Sequence, residues 1–585
     1  MYNTRMAHLH RKMKRGRPYY YIREIQRVNG KPKVVSQIYL GSANALLERL
    51  QAADLARKPL ELKPRAFGAV FLACEMEKKL DTAGLIDRLV PRAAREKGPS
   101  LGEYFFLAWA NRLIAPRSKR ALAAWYKGTA LDELRPVALA EFTSQRYWQK
   151  WDRVDAEDIE KIGKAFFERV WQNQPLPPEC LLFDTTNYYT FMASDTVSEL
   201  SARGHNKAGK HHLRQIGLAL LADRRTRLPL YYQAYEGNLH DSKVFRRVLD
   251  EMFGVMLGFN QTKQRLTVVF DKGMNSDEGM AGLDDQVRVH FITTYSPYFA
   301  EELAETSLNA FAPLTIAKNQ RLVRSGRNAD RMLAYRTSMD LWGQSRAVVV
   351  TYNPRTARKH RYTLERKLDT LRETLIEFRR NYREQRPQWR DPKAILERYL
   401  RACDQLHLGS QYYRLEFGDR RKAADLSFRK DPYQVSKAEN LFGKNVIVTD
   451  NHDWTTEEIV QSSLDRYGIE QQFRTSKATE HIRINPFYHW TDSKLRCHLL
   501  TCVMALTVLR LIELRVQNHR ASAEHSWTGR KILEDMHKLH SAWLLYPGKR
   551  KPERMHATPT EDQAEVLRAF GYEIAPMGVL QPLAD

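Results

Sequence analysis

The chain has 585 residues, 43% of them hydrophobic and 10% aromatic, with Lys+Arg outnumbering Asp+Glu by 94 to 69. That length exceeds one ordinary compact domain and asks for roughly three or four modules with real cores. The net charge of +25 specifies no fold, but it favours a polyanionic partner over a merely basic enzyme. Binding to nucleic acid would then weaken steeply with salt, because each neutralised phosphate releases a counterion.

Cys74, Cys180, Cys403, Cys497 and Cys502 are scattered without a CxxC pair, which argues against a secreted disulfide framework and against a Cys-based zinc site. The N-terminus lacks the apolar core of a signal peptide. The longest apolar stretch, LLTCVMALTVL at 499–509, is too short to span a bilayer, so no membrane role is expected.

Residues 1–65 read as a basic arm followed by a β-hairpin. The run RMAHLHRKMKRGR is expected to order only on meeting a partner. YYYIREIQRV and KVVSQIYLG flank a turn at Asn29-Gly30, a dipeptide that supplies the positive φ angles a tight hairpin needs. The hairpin's basic side chains suit a DNA groove or simple solubility equally well. Residues 66–178 read as a helical domain, with aromatics and aliphatics at three- and four-residue spacing. Within it, ANRLIAPRSKRALAAW carries a Pro break that fits a helix–turn–helix pair; a bundle without DNA contact is the plainer alternative.

From 179 to 335 the pattern changes. CLLFDTT, HLRQIGLALLAD and LPLYYQAYEG precede the helical SKVFRRVLDEM, then RLTVVFDKG and VRVHFITTY. Neighbouring strands, then a helix, then further strands predict an α/β layer on a mixed sheet. Residues 336–454 read as an insertion combining strands with a helical hairpin, Leu364, Leu368, Leu371 and Leu375 being helically spaced. Helices return over 455–516, and 517–585 form a C-terminal helical tail.

Two apolar runs, LLFD and VVFD, deliver Asp184 and Asp271 at their ends, the edge at which open α/β sheets bind ligands. Two such carboxylates brought together repel, and a hard, oxygen-seeking cation such as Mg²⁺ relieves the conflict. Taken singly, each aspartate also serves as a helix or turn cap. In LDRYGIEQQFRTSK, Arg466, Glu470, Arg474 and Lys477 fall at roughly 0°, 40°, 80° and 20° around a helix. An acid within a row of cations suits metal-assisted phosphoryl transfer, although ordinary Glu–Arg pairs at this spacing occur on solvated helices. The histidines of GHNKAGKHH lack metal-ligand spacing and fit a phosphate-contacting loop better. In GNLHDS, Asp241 or Ser242 reads as a helix cap.

With FDTT, FDKG and R-x3-E-x6-K in this order, the chain resembles the DDE transposases of bacterial insertion sequences. It is most similar to the branch with the signature Tyr-x2-Arg-x3-Glu-x6-Lys, the "IS four" superfamily. Arg466, Glu470 and Lys477 match; the Tyr position is Ser463, a departure from the family pattern at the place where relatives make an aromatic–phosphate contact. YYIREIQRVNGKPKVVSQIYLGS, ANRLIAPRSKRAL, YEGNLHDSKVF and INPFYHW extend the likeness over residues 19–515. The resemblance implies an RNase H-like catalytic core with a β-rich insertion before the glutamate. It also implies a cytoplasmic, nucleoid-associated bacterial enzyme that cuts and joins DNA by two-metal chemistry. Asp184, Asp271 and Glu470 would be both catalytic residues and ligands of two Mg²⁺ ions, with Mn²⁺ able to substitute. Arg466, Arg474 and Lys477 would bind DNA. The implied partners are double-stranded DNA (inverted repeats at the element ends, and target DNA) and further copies of the chain in a homodimer or larger synaptic assembly. Trp342 and Trp454 are candidates for holding a flipped base. A structure-specific nuclease on the same core, or a DNA-binding derivative without catalysis, would leave the same composition.

Overall fold

The computed structural model describes residues 6–583 apart from 29–30, 58–60, 94–95, 139–141, 194–195, 205–208, 260–265, 287, 297–300, 419–424, 486, 520–526, 547–550 and 577. At the N-terminus, β1 (Met6–Lys14), β2 (Arg17–Val28) and β3 (Lys31–Ser42) form an antiparallel sheet, continued by α1 (Ala43–Arg57) and β4 (Glu61–Ala66). The basic run is therefore not a free arm. Arg15 and Gly16 both take positive φ, 51° and 75°, and their two-residue turn folds the run back along β2 from Lys14↔Arg17 to Met6↔Ile25. The Asn29-Gly30 turn lies outside the described residues.

Helices α2 (Gly68–Leu80), α3 (Thr82–Leu89), α4 (Leu101–Ile114), α5 (Leu122–Lys127), α6 (Leu131–Leu134), α7 (Ser144–Trp151) and α8 (Ala156–Gln172) follow. Their starts are locally encoded. Ser100 caps α4 by accepting from Glu103 N, and Asp155 with Asp158 forms a capping box on α8.

The central sheet has nine strands. They are β5 (Cys180–Tyr189), β6 (Gln215–Asp223), β7 (Pro229–Glu236), β8 (Leu266–Phe270), β9 (Val289–Tyr295), β10 (Ala312–Pro313), β11 (Leu333–Leu341), β12 (Gln344–Tyr352) and β15 (Lys444–Thr449). Their spatial order is β10-β11-β12-β15-β9-β8-β5-β6-β7. Only β5–β8 and β8–β9 pair in parallel; the other pairs are antiparallel. The expected α/β layer is thus a mixed sheet with a parallel centre, whose middle strand β8 is buried throughout because it is covered on both faces. Helix α9 (Asp241–Phe259) returns the chain from β7 to β8, and α10 (Asp277–Asp284) links β8 to β9.

Between β9 and β15 lie α11 (Glu301–Glu305), α12 (Ala317–Arg324), α13 (Pro354–Arg383), α14 (Pro392–Leu406), the two-stranded β13 (Tyr413–Phe417) and β14 (Leu426–Lys430), and α15 (Pro432–Leu441). The four leucines read from the sequence line the buried side of α13. There they join Phe378, Tyr382, Ile395, Tyr399, Cys403, Tyr413 and Leu426 in a core of their own. Of the segment 336–454, strands β12 and β15 belong to the central sheet, while the helical hairpin forms this second core.

The C-terminal part holds α16 (Thr456–Asp465), α17 (Tyr467–Lys477), α18 (Asp492–His519), α19 (Gly529–His537), the strands β16 (His540–Leu545) and β17 (Glu553–His556), α20 (Glu561–Ala569), and the short pair β18 (Tyr572–Ile574) and β19 (Leu580–Pro582). Helix α18 is buried without a break from Cys497 to Leu509 within the main core, which also takes in Phe67–Trp171 and the central sheet. Its apolar stretch has protein on every side, which explains why it is hydrophobic all round. Among the described residues, no helix is long and apolar enough to cross a membrane, and all five cysteines are buried and unbridged.

Candidate active site

Strand β5 pairs with parallel β8 through Leu181↔Val268 and Leu182↔Val269. Two residues further on, that register sets Asp184 level with Asp271, on neighbouring strands about 4.8 Å apart. Asp271 directly follows β8, as its sequence context predicts. Asp184 departs from expectation: β5 does not stop there but continues to Tyr189, paired with β6 through Asp184↔Leu220. What ends at this level is the β8 side of the pairing, so Asp184 stands mid-strand where one neighbour has run out.

The two faces of β5 are assigned by its alternation. Phe183 and Phe270 both pack on Phe245 of α9, and Thr185 Oγ1 donates to Asp241 Oδ1 at 2.8 Å. The even-numbered residues look the other way, toward α17. Lys477 Nζ donates to Thr186 Oγ1 at 2.7 Å and lies 5.4 Å from the centre of the Tyr188 ring. Tyr188 and Ser476 share a hydrogen bond of 2.7 Å. Asp184 therefore belongs to a row, 184-186-188, that meets the helix bearing Glu470.

That helix is placed by local signals. Thr455 and Glu458 make a capping box at the start of α16, and Arg224 Nε ties Asp465 at its end to β6 at 2.6 Å. The expected single helix is broken at Arg466, which joins α16 to α17. From this joint the Arg466 guanidinium reaches Asp271 at 3.6 Å and Glu470 at 3.4 Å. Arg474 lies 3.8 Å from Glu470 and donates to Tyr467 Oη at 2.9 Å. Thr294 Oγ1 donates to Asp271 Oδ1 at 3.0 Å and accepts from Lys272 N at 3.2 Å, which fixes the carboxylate at the end of β8.

All six residues singled out from sequence thus lie on the covered side of one sheet edge or on the helix facing it. Sequence reading missed Thr186, Tyr188, Ser476 and Thr294. The two-residue alternation of FDTTNYY after Asp184 carried the signal for the first two. Asp241, read as a cap, begins α9 and sits on the opposite face of β5 from Asp184. Trp342 packs edge-on to Phe291 and Tyr295, and Trp454 is half-buried against the main core. Of the loop GHNKAGKHH, residues 205–208 lie outside the described residues; Lys210 Nζ rests 4.3 Å from the centre of the Tyr189 ring.

Three carboxylates are hard oxygen donors of the kind Mg²⁺ takes. Among the described residues, no three or more of His, Cys, Asp and Glu are gathered into a ready-made metal site; the Arg466 guanidinium stands between Asp271 and Glu470 and offsets one of their two charges, with Arg474 beside Glu470. The donor set fits a divalent ion by type, with Arg466 as the group that must give way.

Residues 177–508 match the model of the family described as Transposase DDE domain. With more than half of its length so matched, the chain belongs to the DDE transposase family. No curated protein matches it. Among solved structures it is similar, distantly, to a piggyBac transposase synaptic complex with hairpin DNA, at 9% identity over 82% of each chain and a TM-score of 0.37.

Proposed function

We propose that this chain is the transposase of an insertion sequence of the "IS four" type. It would bind the inverted repeats at the element ends, cleave there and join the freed 3′ ends to target DNA, working as a homodimer or larger synaptic assembly on an RNase H-like core. The observation that carries the reading is the juxtaposition of Asp184 and Asp271, level on adjacent parallel strands, with the Arg466–Glu470–Lys477 face of α17, in a chain of the DDE transposase family.

In this reading Asp184, Asp271 and Glu470 hold two Mg²⁺ ions, or Mn²⁺ in their place. Bound there, the ions would supply Lewis-acid activation of the attacking hydroxyl and neutralise charge at the scissile phosphate. The chain's own groups do the positioning. Thr294 keeps one Asp271 oxygen turned to the site. Arg466 releases the two carboxylates and grips a non-bridging phosphate oxygen, for which its planar fork is suited. Lys477, braced on Thr186 and Tyr188, and the exposed Arg474 hold the strand on either side.

The test is strand cleavage of DNA carrying the gene's own flanking ends, with Mg²⁺ or EDTA, for wild type and Asp271→Ala. Cleavage at an end, dependent on Mg²⁺ and reduced at least ~10²-fold in the variant, together with joined products, is expected. Cleavage without joining identifies a nuclease instead. Tight, end-specific binding by a folded protein that does not cut identifies a DNA-binding derivative.

A further inference from the structure

A second site stands apart from the carboxylates. A cavity of about 330 Å³ opens between the α4–α5 connection and the segment leading into α18, lined by Arg112, Arg117, Lys119, Arg120 and Arg483 with the rings of Trp148 and Tyr488. Both walls come from stretches that stand out in the sequence, ANRLIAPRSKRAL and INPFYHW.

The cavity is built rather than incidental. Asn111 shapes one wall, its Nδ2 donating to Ala115 O and its Oδ1 accepting from Arg117 N, both at 2.9 Å. Arg112 clamps the two walls together, donating from Nη1 to Arg483 O and from Nη2 to Arg117 O at 3.2 Å, while its backbone carbonyl accepts from Ile482 N at 2.8 Å. Across from it, Ile482 and Arg483 take φ of 57° and 48°. A β-branched residue in the left-handed region costs about 1–3 kcal/mol and persists where the surroundings require it, often at functional sites. The strained turn is what brings Arg483 to the cavity.

The charges in it are unbalanced. Lys119 and Arg112 are 6% and 9% exposed, and among the described residues no carboxylate pairs with any of the five lining cations. Among the described residues, Arg112 Nε is buried without a hydrogen-bond partner, as is Nδ1 of His489 in the opposite wall. Among the described residues Lys119 rests on ring faces, 4.9 Å from the centre of Tyr147 and 4.6 Å from that of Trp151. Burial, then the nearby Arg112, hold its ammonium far below its usual range. Arg112 keeps its charge although buried, while burial pushes Lys119 toward the neutral amine; an anion entering the cavity pairs the first and favours protonation of the second.

The ligand class follows from the surroundings. Thr190, just past the end of β5, bridges Phe487. Six residues of strand separate Thr190 from Asp184, so the cavity lies about 20 Å along β5 from the carboxylates, or about six base-pair rises of duplex. Tyr488, which lines the cavity, and Trp490, two residues further along the chain, are 67% and 62% exposed, and Tyr488 stacks on the exposed Phe191 with ring centres 5.9 Å apart. Exposed rings beside a cationic groove are the usual platform for unstacked bases.

Resting on the reading that the chain acts on DNA, we propose that this cavity binds a backbone phosphate of the DNA strand leaving the carboxylate site, with Arg112, Lys119 and Arg483 as its ligands and Tyr488 and Trp490 as stacking faces for adjacent bases. The test is fluorescence anisotropy of a labelled duplex with a single-stranded extension, titrated with the full chain over a range of NaCl, for wild type, Arg483→Gln and Lys119→Met. Each variant is expected to bind about tenfold more weakly and to lower the slope of log K against log salt by about 1. Lys119→Met is also expected to keep or raise the thermal midpoint, because it removes a buried amine that burial disfavours in its charged form; a merely structural lysine would lower it. Wild-type binding that both variants reproduce in affinity and slope overturns the site and leaves the proposed function standing. A wild type that fails to bind DNA at all overturns both. Inorganic phosphate that raises the wild-type midpoint above an ionic-strength control, while the variants bind DNA normally, makes the cavity a free-anion site and overturns the DNA assignment.

Discussion

The carboxylate edge and the cationic cavity handle charge in opposite ways. At the edge, acids and bases lie together in partial contact with solvent: Asp271 and Glu470 are 41% and 36% exposed and share Arg466, itself 19% exposed. Solvent screens such groups, so holding them together costs little and rearranging them costs little. In the cavity, Arg112 and Lys119 are withdrawn from water with no acid opposite. The first arrangement is already neutral and opens for a ligand by moving one guanidinium. The second stores an unmet need for negative charge. An edge that must accept, position and release a reacting group suits the first; a fixed grip on a polyanion suits the second.

The contrast can be broken at a buried cation that does have its acid. Arg346, 3% exposed, is held by both oxygens of Asp284 at 2.8 and 2.6 Å. Asp284→Ala leaves that guanidinium buried and unpaired, and is expected to destabilise the chain by about 3 kcal/mol, read as a lowered denaturation midpoint. Lys119→Met, which removes a buried lysine with no acid opposite among the described residues, should not. If the two variants lose stability equally, burial without a partner carries no special cost here and the contrast fails. A smaller effect sharpens the other side. Arg466→Lys keeps the charge between Asp271 and Glu470 but loses the fork, so end cleavage should fall about tenfold or more with the melting temperature nearly unchanged. A rate equal to wild type would reduce Arg466 to a counter-charge.

Much of this was legible in the sequence, and the exceptions have physical causes. Periodicity gave the alternation of strands and helices, the leucine face of α13 and the row from Arg466 to Lys477, because one buried face imposes its spacing on the chain. What it could not give were features set by partners far along the chain. Asp184 reads as a strand end because apolar residues stop there, yet β5 continues since the next residues hydrogen-bond to β6 and pack alternately on α9 and α17. The basic run reads as an unpaired arm, yet Arg15-Gly16 turns it onto β2. Segments 66–178 and 492–519 read as separate modules but share one core. The cavity needs both, so neither wall alone announces it.

A third solution to burying charge appears in the helical region, and it is testable by pH. Glu77 is 2% exposed; it accepts from Thr82 Oγ1 and from Ala83 N at 2.9 Å, with Arg135 only at 3.8 Å and committed to Glu103. Burial outweighs these contacts and pushes its carboxyl from 4.5 up to about 7. The folded chain therefore keeps a proton that the unfolded chain gives up between those two values, so unfolding releases a proton in this window. Stability contributed by Glu77 is full below pH 4.5 and is lost as pH rises toward about 7. Its slope is at most roughly 1.4 kcal/mol per pH unit. Glu77→Gln keeps an acceptor oxygen for Ala83 N, turns an amide N–H toward the Thr82 hydroxyl and cannot ionise, so its denaturation midpoint should lack that contribution and exceed the wild-type value above pH 7. Should wild type and variant follow parallel pH profiles, Glu77 would be ionised when folded, and Arg135 would be a working partner across the 3.8 Å gap. Glu77 would then belong with Arg346 among the paired charges, and protonation would drop out as a third solution.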